Sequence, residues 1–547
     1  MTPLEALRGA VVEAAASLRA GGGVGWPGRA APSLERPKRE SFGDYSTNAA
    51  MLLAPVLGEP PRAIAERLGD ELAGRLGGTL ARFAVAGPGF LNLVLADEWY
   101  QEALAGVLAA GADFGGGGAG AGAERILIEF VSANPTGPVT AASGRHAAYG
   151  DALGRLLAFH GHAVEREYYV NDFGTQVRKL GESIWARARG EEVPEDGYQG
   201  AYVAELAREI PGAAEAAPDA LAERGVELMV ERIRATLHAF RLDFDGWFSE
   251  RSVHSGEPSG VERAYAELER HDALYRSEGA LWLRTTGWGD DKDRVLERSS
   301  GEHTYFASDI AYHEHKRERG FDRLIDVWGA DHHGYVPRMK AAFRALGGDP
   351  GELEILIMQM VNVLERGERS AMSKRRGDFV TLDELVGDIG VDAARFYLLS
   401  RSHETTLDLD LDLAREQGSE NPVYYVQYAH ARIASMLGRA GEERAREARE
   451  ELAEAVVGLE PAERTLVKKL LAFPEDVAEA VARRAVHRIA GYSLELAQDF
   501  TAFYRDCRVL GAEPRELESF RIALCVATRE TIARALDLLG VSAPESM

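Results

Sequence analysis

Between Arg125 and Val170 the chain reads strand, helix, strand, and this stretch limits the possible folds more than any other. RILIEFV (125–131) is a short apolar run of buried-strand type. The Ala/Leu-rich stretch from Ala141 to His160 has helical spacing, and AVEREYYV (163–170) returns to β-branched and aromatic residues. Two strands joined through a helix lie parallel, so the unit predicts an α/β domain. RLIDVWGA (323–330) and LEILIMQMVNVL (353–364), on either side of a helix near 336–346, predict that the same sheet resumes later. The Glu/Ala/Arg-rich helical stretch at about 180–270 then reads as an insertion.

The flanks differ in kind. Residues 1–110 alternate helical patterns with apolar runs such as 81–96, which predicts a separate α+β domain. GADFGGGGAGAGA (111–123) reads as a flexible linker, because each glycine loses much backbone entropy on ordering. The α/β domain is expected over 124–386, a connecting helical region over 387–420 and an all-α bundle over 421–547.

The formal net charge is -24, from 63 Lys and Arg against 87 Asp and Glu. Such a chain is unsuited to coating nucleic acid indiscriminately. The acidity is uneven, however: 421–547 carries 17 basic and 20 acidic residues. One folded RNA could still be held there by local cations, and Lys468, Lys469, Arg483, Arg484 and Arg488 are expected to form that face. Two cysteines, Cys507 and Cys525, cannot build a disulfide framework or a four-ligand zinc site, which favours buried thiols in a reducing compartment. The N-terminus is interrupted by Glu5, Glu13 and Arg19, unlike a signal peptide, and no stretch reaches the ~20 apolar residues of a membrane span. A soluble cytoplasmic protein is expected.

Three segments carry chemistry. The first is Ser132-Ala133-Asn134-Pro135-Thr136-Gly137-Pro138, which follows a parallel strand and precedes a helix opened by Thr140, Ala141, Ala142, Ser143 and Gly144. Free N–H groups and the helix dipole favour a phosphate at such a turn. The second is Met372-Ser373-Lys374-Arg375-Arg376-Gly377-Asp378, a basic loop suited to a transferring polyphosphate, although a basic loop is often just solvated surface. The third is the set of acids expected at strand ends, Glu129, Asp309 and Asp331, which with Tyr305 and Tyr312 would suit a planar guanidinium. The pairs His332-His333 and His313/His315 lack a full ligand set, so hydrogen-bonding roles are expected and no metal site.

Taken in order, these motifs resemble bacterial arginyl-tRNA synthetases, class I aminoacyl-tRNA synthetases, along the whole chain. The resemblance rests on EFVSANPTGP (129–138), YYVNDFGTQ (168–176), WGADHHGYVPRM (328–339), MSKRRGDFVTLDEL (372–385), NPVYYVQYAHARI (421–433) and ALDLLGVSAPESM (535–547). FGDYSTNAAM (42–51) and GPGFLN (87–92) are similar to the family's N-terminal domain. The resemblance implies a Rossmann-type catalytic domain with an inserted helical segment, an N-terminal domain touching the tRNA elbow and a C-terminal all-α anticodon-binding bundle. It implies ATP with Mg2+, L-arginine and tRNA(Arg) as partners, and a monomer. Arginine would be activated to arginyl-adenylate and passed to the 2′-hydroxyl of the tRNA's terminal adenosine. In the family's pattern Glu129, Ser132, Asn134, Tyr305, Asp309, Tyr312, Asp331 and His332 hold arginine. Pro135, Gly137, Thr140, Ser143, Gly144, Met372, Ser373 and Lys374 hold ATP, and Tyr424, Gln427, Arg432, Arg483, Arg484 and Arg488 meet tRNA.

Two departures bear on catalysis. Where the family reads His-x-Gly-His, this chain has Thr140, Ala141, Ala142 and Ser143, so both imidazoles are missing. A charged donor is worth roughly 1.5–3 kcal/mol against about 1 for a hydroxyl. His146 and Arg145 are the nearby groups expected to restore the charge. In the second motif the first lysine is Ala371, while Lys374 remains and Arg375 and Arg376 add charge. Catalysis is therefore expected from Lys374, Arg375, Ser143 and His146. The alternative is a synthetase-like regulator that binds tRNA or arginine without turnover.

Overall fold

The computed structural model describes residues 3–18, 31–37, 39, 42–369, 380–452 and 456–547. The basic loop with Met372, Ser373, Lys374 and Arg375 lies outside the described residues.

Five parallel strands form the central sheet: β1 (Arg125–Glu129), β2 (Ala163–Val170), β3 (Gly246–Ser249), β4 (Arg323–Gly329) and β5 (Leu353–Met358), in the order β5-β4-β1-β2-β3. The chain leaves β1 for β2 on one side, whereas β4 lies on the other. Open α/β sheets form their ligand crevice at such a reversal, outside the carboxyl ends of the strands. Helix α1 (Ala141–His160) crosses from β1 to β2 and buries a face of small residues, Ala141, Gly144, Ala147, Ala148, Gly150 and Gly154. A Cβ on Gly150 would lie 2.2 Å from the Phe130 ring, so only glycine allows α1 this close to the end of β1.

The inserted helices α2 (Thr175–Ala188), Ala201–Glu209 and α3 (Pro218–Ala239) share a core of their own around Leu180, Ile184, Leu206 and Met229. The stretch at 180–270 is not wholly an insertion, because β3 inside it completes the edge of the main sheet. A three-stranded antiparallel sheet (Leu274–Ser277, Ala280–Leu283, Arg294–Glu297) precedes α4 (Tyr305–Glu318). The apolar run 353–364 splits: β5 ends at Met358, and Val361–Glu365 pairs in a second sheet with Leu407–Asp410, a strand inside the expected helical connection. Helix α5 (Val336–Ala345) follows β4, and α6 (Leu382–Leu399) follows the basic loop.

Residues 111–123 form short 3-10 turns strapped to the end of α1, with Gly117 N donating to Phe159 O at 2.9 Å and Ala119 N to His160 O at 2.8 Å. Expected as a flexible linker, the segment is instead packed. Its glycines permit close approach: a Cβ on Gly115 would meet Phe473 at 2.6 Å. The last part of the chain is helical, with α7 (Pro422–Ala440), α8 (His487–Asp506) and α9 (Arg515–Leu538) burying Phe500, Phe503, Leu524 and Ile532. The N-terminal four-stranded sheet and its helices dock on this bundle through Arg464–Asp97 at 2.6 Å and Lys468–Asp44 at 3.0 Å. No helix among the described residues is long and apolar enough to cross a membrane.

Candidate active site

A cavity of about 360 Å³ opens at the carboxyl ends of β1, β2 and β4, where the strand order reverses. Three carboxylates line it: Glu129 at the end of β1, Asp309 on α4 and Glu250 just after β3. Asp309 Oδ2 accepts from the Tyr335 hydroxyl at 2.5 Å, and burial holds its pKa above the usual carboxylate value. Glu250 is buried, and its Oε2 has no hydrogen-bond partner among the described residues. Burial, then the Asp309 charge, pushes its pKa up to about 7. Asn171 Oδ1 lines the same space and is likewise unpartnered. Unmatched buried acceptors around a cavity are what a cationic ligand with several N–H donors would satisfy.

Six of the eight residues expected to hold arginine line this cavity: Glu129, Ser132, Tyr305, Asp309, Tyr312 and His332. Tyr312 serves as wall, because its hydroxyl donates to Glu167 Oε1 at 2.8 Å and its ring packs on Tyr169 and Phe248. Asn134 and Asp331 do not line it; both are exposed, and Asp331 pairs with His332 at 3.4 Å. Glu250 and Asn171 were absent from the expected set. Glu250 follows a strand concealed within the supposed insertion. Asn171 stands in the quoted segment 168–176, but nothing in its spacing marks it as lining a cavity.

The loop leaving β1 is strained. Val131 and Ser132 adopt φ of 67° and 39°, a region costly for residues other than glycine and especially for a β-branched one. The surroundings hold it there. Ser132 Oγ donates to Glu129 Oε1 at 2.6 Å and accepts from Tyr169 N at 3.2 Å, while the Tyr168 hydroxyl donates to Ala133 O at 2.8 Å. The effect is to turn Ser132 back over the end of its own strand and onto the cavity wall.

The residues expected to take ATP gather around the start of α1, apart from this cavity. Thr140 caps the helix, its Oγ1 accepting from Ser143 N at 3.2 Å and lying 3.1 Å from Ser143 Oγ. Pro135 is buried, Gly137 lies under Tyr202, and a Cβ on Gly144 would meet Leu382 at 2.7 Å. Ala141 N donates to Val380 O at 2.9 Å and Leu382 N to Val139 O at 2.8 Å, so the residues that follow the basic loop in sequence are joined to this helix start.

Neither group expected to restore the missing charge is placed to do so. Arg145 is buried, donating to Gln359 O at 2.8 Å and Ser402 O at 2.9 Å, and burial pushes its pKa down to about 10. It ties α1 to the junction of the two sheets. His146 lines the acid-lined cavity, and burial, reinforced by the Arg145 charge and opposed by the Val327 backbone and Asp331, pushes its pKa down to about 4. At neutral pH it is an uncharged imidazole.

The expected basic face on the helical bundle is largely consumed within the protein. Arg484 bonds Glu354 on β5 at 2.9 Å, Lys469 pairs with Glu495, Lys468 reaches Asp44, and Arg488 bridges Asp476 and Glu479. Arg483 stays exposed, with Glu479 at 3.2 Å. Gln427 is buried and donates to Asp392 Oδ2 at 3.0 Å and Ser542 O at 2.9 Å. What α7 presents instead is an aromatic and cationic ladder. Tyr424 and Tyr428 stack at 6.2 Å, and the exposed Arg432 lies over Tyr504 at 4.6 Å and Tyr428 at 5.7 Å.

Comparison with known proteins finds three family matches along the chain. Residues 6–95 match the arginyl tRNA synthetase N-terminal domain, 232–421 the class I (R) tRNA synthetase catalytic domain, and 426–547 the DALR anticodon-binding domain. An arginine–tRNA ligase of Nitratidesulfovibrio vulgaris is 43% identical over 542 residues, 96% of this chain and 97% of that protein. One from Frankia alni is 44% identical over 559 residues, covering both chains fully. Thermus thermophilus arginyl-tRNA synthetase shares the fold, with a TM-score of 0.74 at 24% identity over 99% of this chain and 100% of that one. Identity at this level across nearly the whole length shows that the chain belongs to the arginyl-tRNA synthetase family.

Proposed function

We propose that the chain is an arginine–tRNA ligase that uses the acid-lined cavity for arginine. An oxygen of the arginine carboxylate attacks the α-phosphorus of ATP, and pyrophosphate leaves. The 2′-hydroxyl of the tRNA's terminal adenosine then attacks the activated carbonyl, and AMP leaves. Asp309 and Glu250 receive the guanidinium, and Glu129, Ser132 and Asn171 border the rest of the amino acid. The observation that carries the reading is the meeting of Glu129, Glu250 and Asp309 around one cavity at the sheet's reversal point. Three acids there suit a cation; they would repel an acidic amino acid, and a neutral one would leave their buried acceptors unpaired.

ATP enters as its magnesium complex, with its phosphates toward the capped start of α1. Thr140 and Ser143 offer hydroxyls in place of imidazoles, and the charge comes from Lys374 and Arg375 of the loop that leads into Val380. The Tyr424–Tyr428–Arg432 ladder takes bases of tRNA(Arg), since aromatic and guanidinium planes stack on them. The enzyme acts as a monomer in the cytoplasm. The near-full-length likeness to arginine–tRNA ligases weighs against the regulator alternative. The test is tRNA-dependent ATP–pyrophosphate exchange with arginine: exchange is expected with cognate tRNA, and none above background would sink the assignment.

A further inference from the structure

Three carboxylates stand abreast on neighbouring strands of the central sheet. Asp326 on β4 is the register partner of Glu129 on β1, which is in turn the partner of Glu167 on β2. Adjacent parallel strands lie about 4.8 Å apart, so three like charges in a row repel strongly unless each is matched. Helix α4 lies over the row and matches it. Tyr312 and Arg319 donate to Glu167 at 2.8 and 2.5 Å, and His313 donates to Asp326 at 2.8 Å. Lys316, fully buried, donates to Asp326 Oδ1 at 2.7 Å and to Glu129 Oε2 at 2.9 Å, with its ammonium 4.2 Å over the Tyr312 ring. Glu129 lines the cavity, whereas Asp326 and Glu167 lie behind it.

We propose that Lys316 is a positioning residue for the substrate: from behind the cavity wall its ammonium, hydrogen-bonded to Glu129 Oε2, anchors that carboxylate, so that Glu129 can meet the cationic amino acid. The inference rests on the cavity being the arginine site. The other groups around Glu129 do not supply this charge. Ser132 offers it a neutral hydroxyl, and Tyr312 from α4 and Tyr169 from β2 are uncharged. Asp309 on α4, Glu250 across the cavity, Asp326 on β4 and Glu167 on β2 are acids, which repel a carboxylate rather than anchor it. Arg319 and His313 are engaged by Glu167 and Asp326. Burial opposes the charge on Asp326, yet the Lys316 ammonium and then His313 hold its pKa at about 2. Burial likewise opposes the Lys316 charge, but the two carboxylates keep the lysine protonated beyond its ordinary range.

The single variant Lys316→Met leaves two uncompensated carboxylates and risks unfolding, so the test uses Lys316→Met/Asp326→Asn, in which one charge of each sign is removed. Asp326→Asn alone is the control that retains the ammonium on Glu129. Arginine KM, ATP KM and kcat are measured by tRNA-dependent pyrophosphate exchange, as ratios to the unsubstituted enzyme, with a melt of each variant. For the double variant the arginine KM ratio is expected to be about tenfold, because Glu129 has lost the charged hydrogen bond that anchors it. Its ATP KM ratio and all the Asp326→Asn ratios are expected to stay within about twofold. An arginine KM ratio near unity, or arginine and ATP KM raised together, makes Lys316 merely structural and overturns the inference while leaving the arginine site standing. Absence of exchange in the unsubstituted enzyme overturns the site assignment, and the inference falls with it.

Discussion

Glu250 is costly to fold: its carboxylate is buried, takes neutral hydrogen bonds from Ser308 and Tyr169, and leaves Oε2 without a partner among the described residues, which is the feature that suits it to a cationic ligand. Its pKa rises from 4.5 to about 7, chiefly through burial. The native state therefore binds more protons than the unfolded state between those values, and Glu250 lowers stability as pH climbs through that window. At full ionisation the loss is at most about 3 kcal/mol. Arginine binding reverses the preference, because a guanidinium needs the charged form. Arginine KM is expected to fall as pH rises from about 6 to about 8, and Glu250→Gln to raise KM roughly tenfold to a hundredfold while flattening this limb. Urea unfolding of the same variant should show smaller losses than the parent at pH 8. A Glu250→Gln enzyme with parental KM and pH profile would exclude the residue from the pocket. His146 gives the opposite expectation. With its pKa near 4 it carries no charge at neutral pH, so His146→Gln should leave ATP KM within about threefold, measured by pyrophosphate exchange. A hundredfold rise would mean that this imidazole reaches the phosphates after all. Glu129 was legible in the sequence because an acid at a strand end of an α/β unit has few destinations, whereas Asp309, expected at a strand end too, lies in the first turns of α4, which starts at Tyr305. Glu250 was not legible, because its position depends on a four-residue strand with no pattern of its own.

Helix α1 shows how one element is tied at both ends. Its boundaries and those of β2 were legible, since Thr140 caps, Gly161 closes in the left-handed region, and the period changes sharply between them. The split of 353–364 was not. Gln359 and Met360 are as compatible with a continuous strand as their neighbours, and what separates them is Arg145 from α1 taking their carbonyl oxygens, with Met360 left 68% exposed. A long-range hydrogen bond of this kind leaves no periodic trace. It does allow a prediction. Arg145→Ala removes a buried side chain and the donors of three part-buried carbonyls and is expected to cost about 3 kcal/mol in urea unfolding, whereas Thr140→Ala, losing a cap, is expected to cost about 1 kcal/mol. If Arg145→Ala instead leaves stability intact and lowers only the activation rate, the side chain serves ATP rather than the fold.

At the scale of the whole molecule, the acidic charge of the chain and its RNA partner are reconciled by where cations remain free to act. Counting lysines and arginines along the bundle suggested a face built from Lys468, Lys469, Arg483, Arg484 and Arg488. Two of these hold modules together, Arg484 joining the bundle to β5 and Lys468 joining it to the N-terminal sheet, and the other three pair with acids of the bundle itself. A count registers the charge but not its partner. The ladder on α7 is the better candidate for tRNA, since Arg432 is exposed and held flat between two tyrosines. Arg432→Ala is expected to weaken tRNA(Arg) binding and, where Arg432 also meets a phosphate, to lower the slope of log K against log salt by about 1; loss of stacking alone would weaken binding with the slope unchanged. Tyr428→Ala is expected to cost about 1–3 kcal/mol of binding without altering the slope. Arg484→Ala should leave both affinity and slope nearly unchanged while lowering the unfolding midpoint, because it breaks a bond between the bundle and the sheet. Filter binding across a salt series, with a melt of each variant, separates these outcomes. Loss of tRNA affinity in Arg484→Ala with an unchanged melt would return the RNA-binding face to the cations that sequence counting favoured.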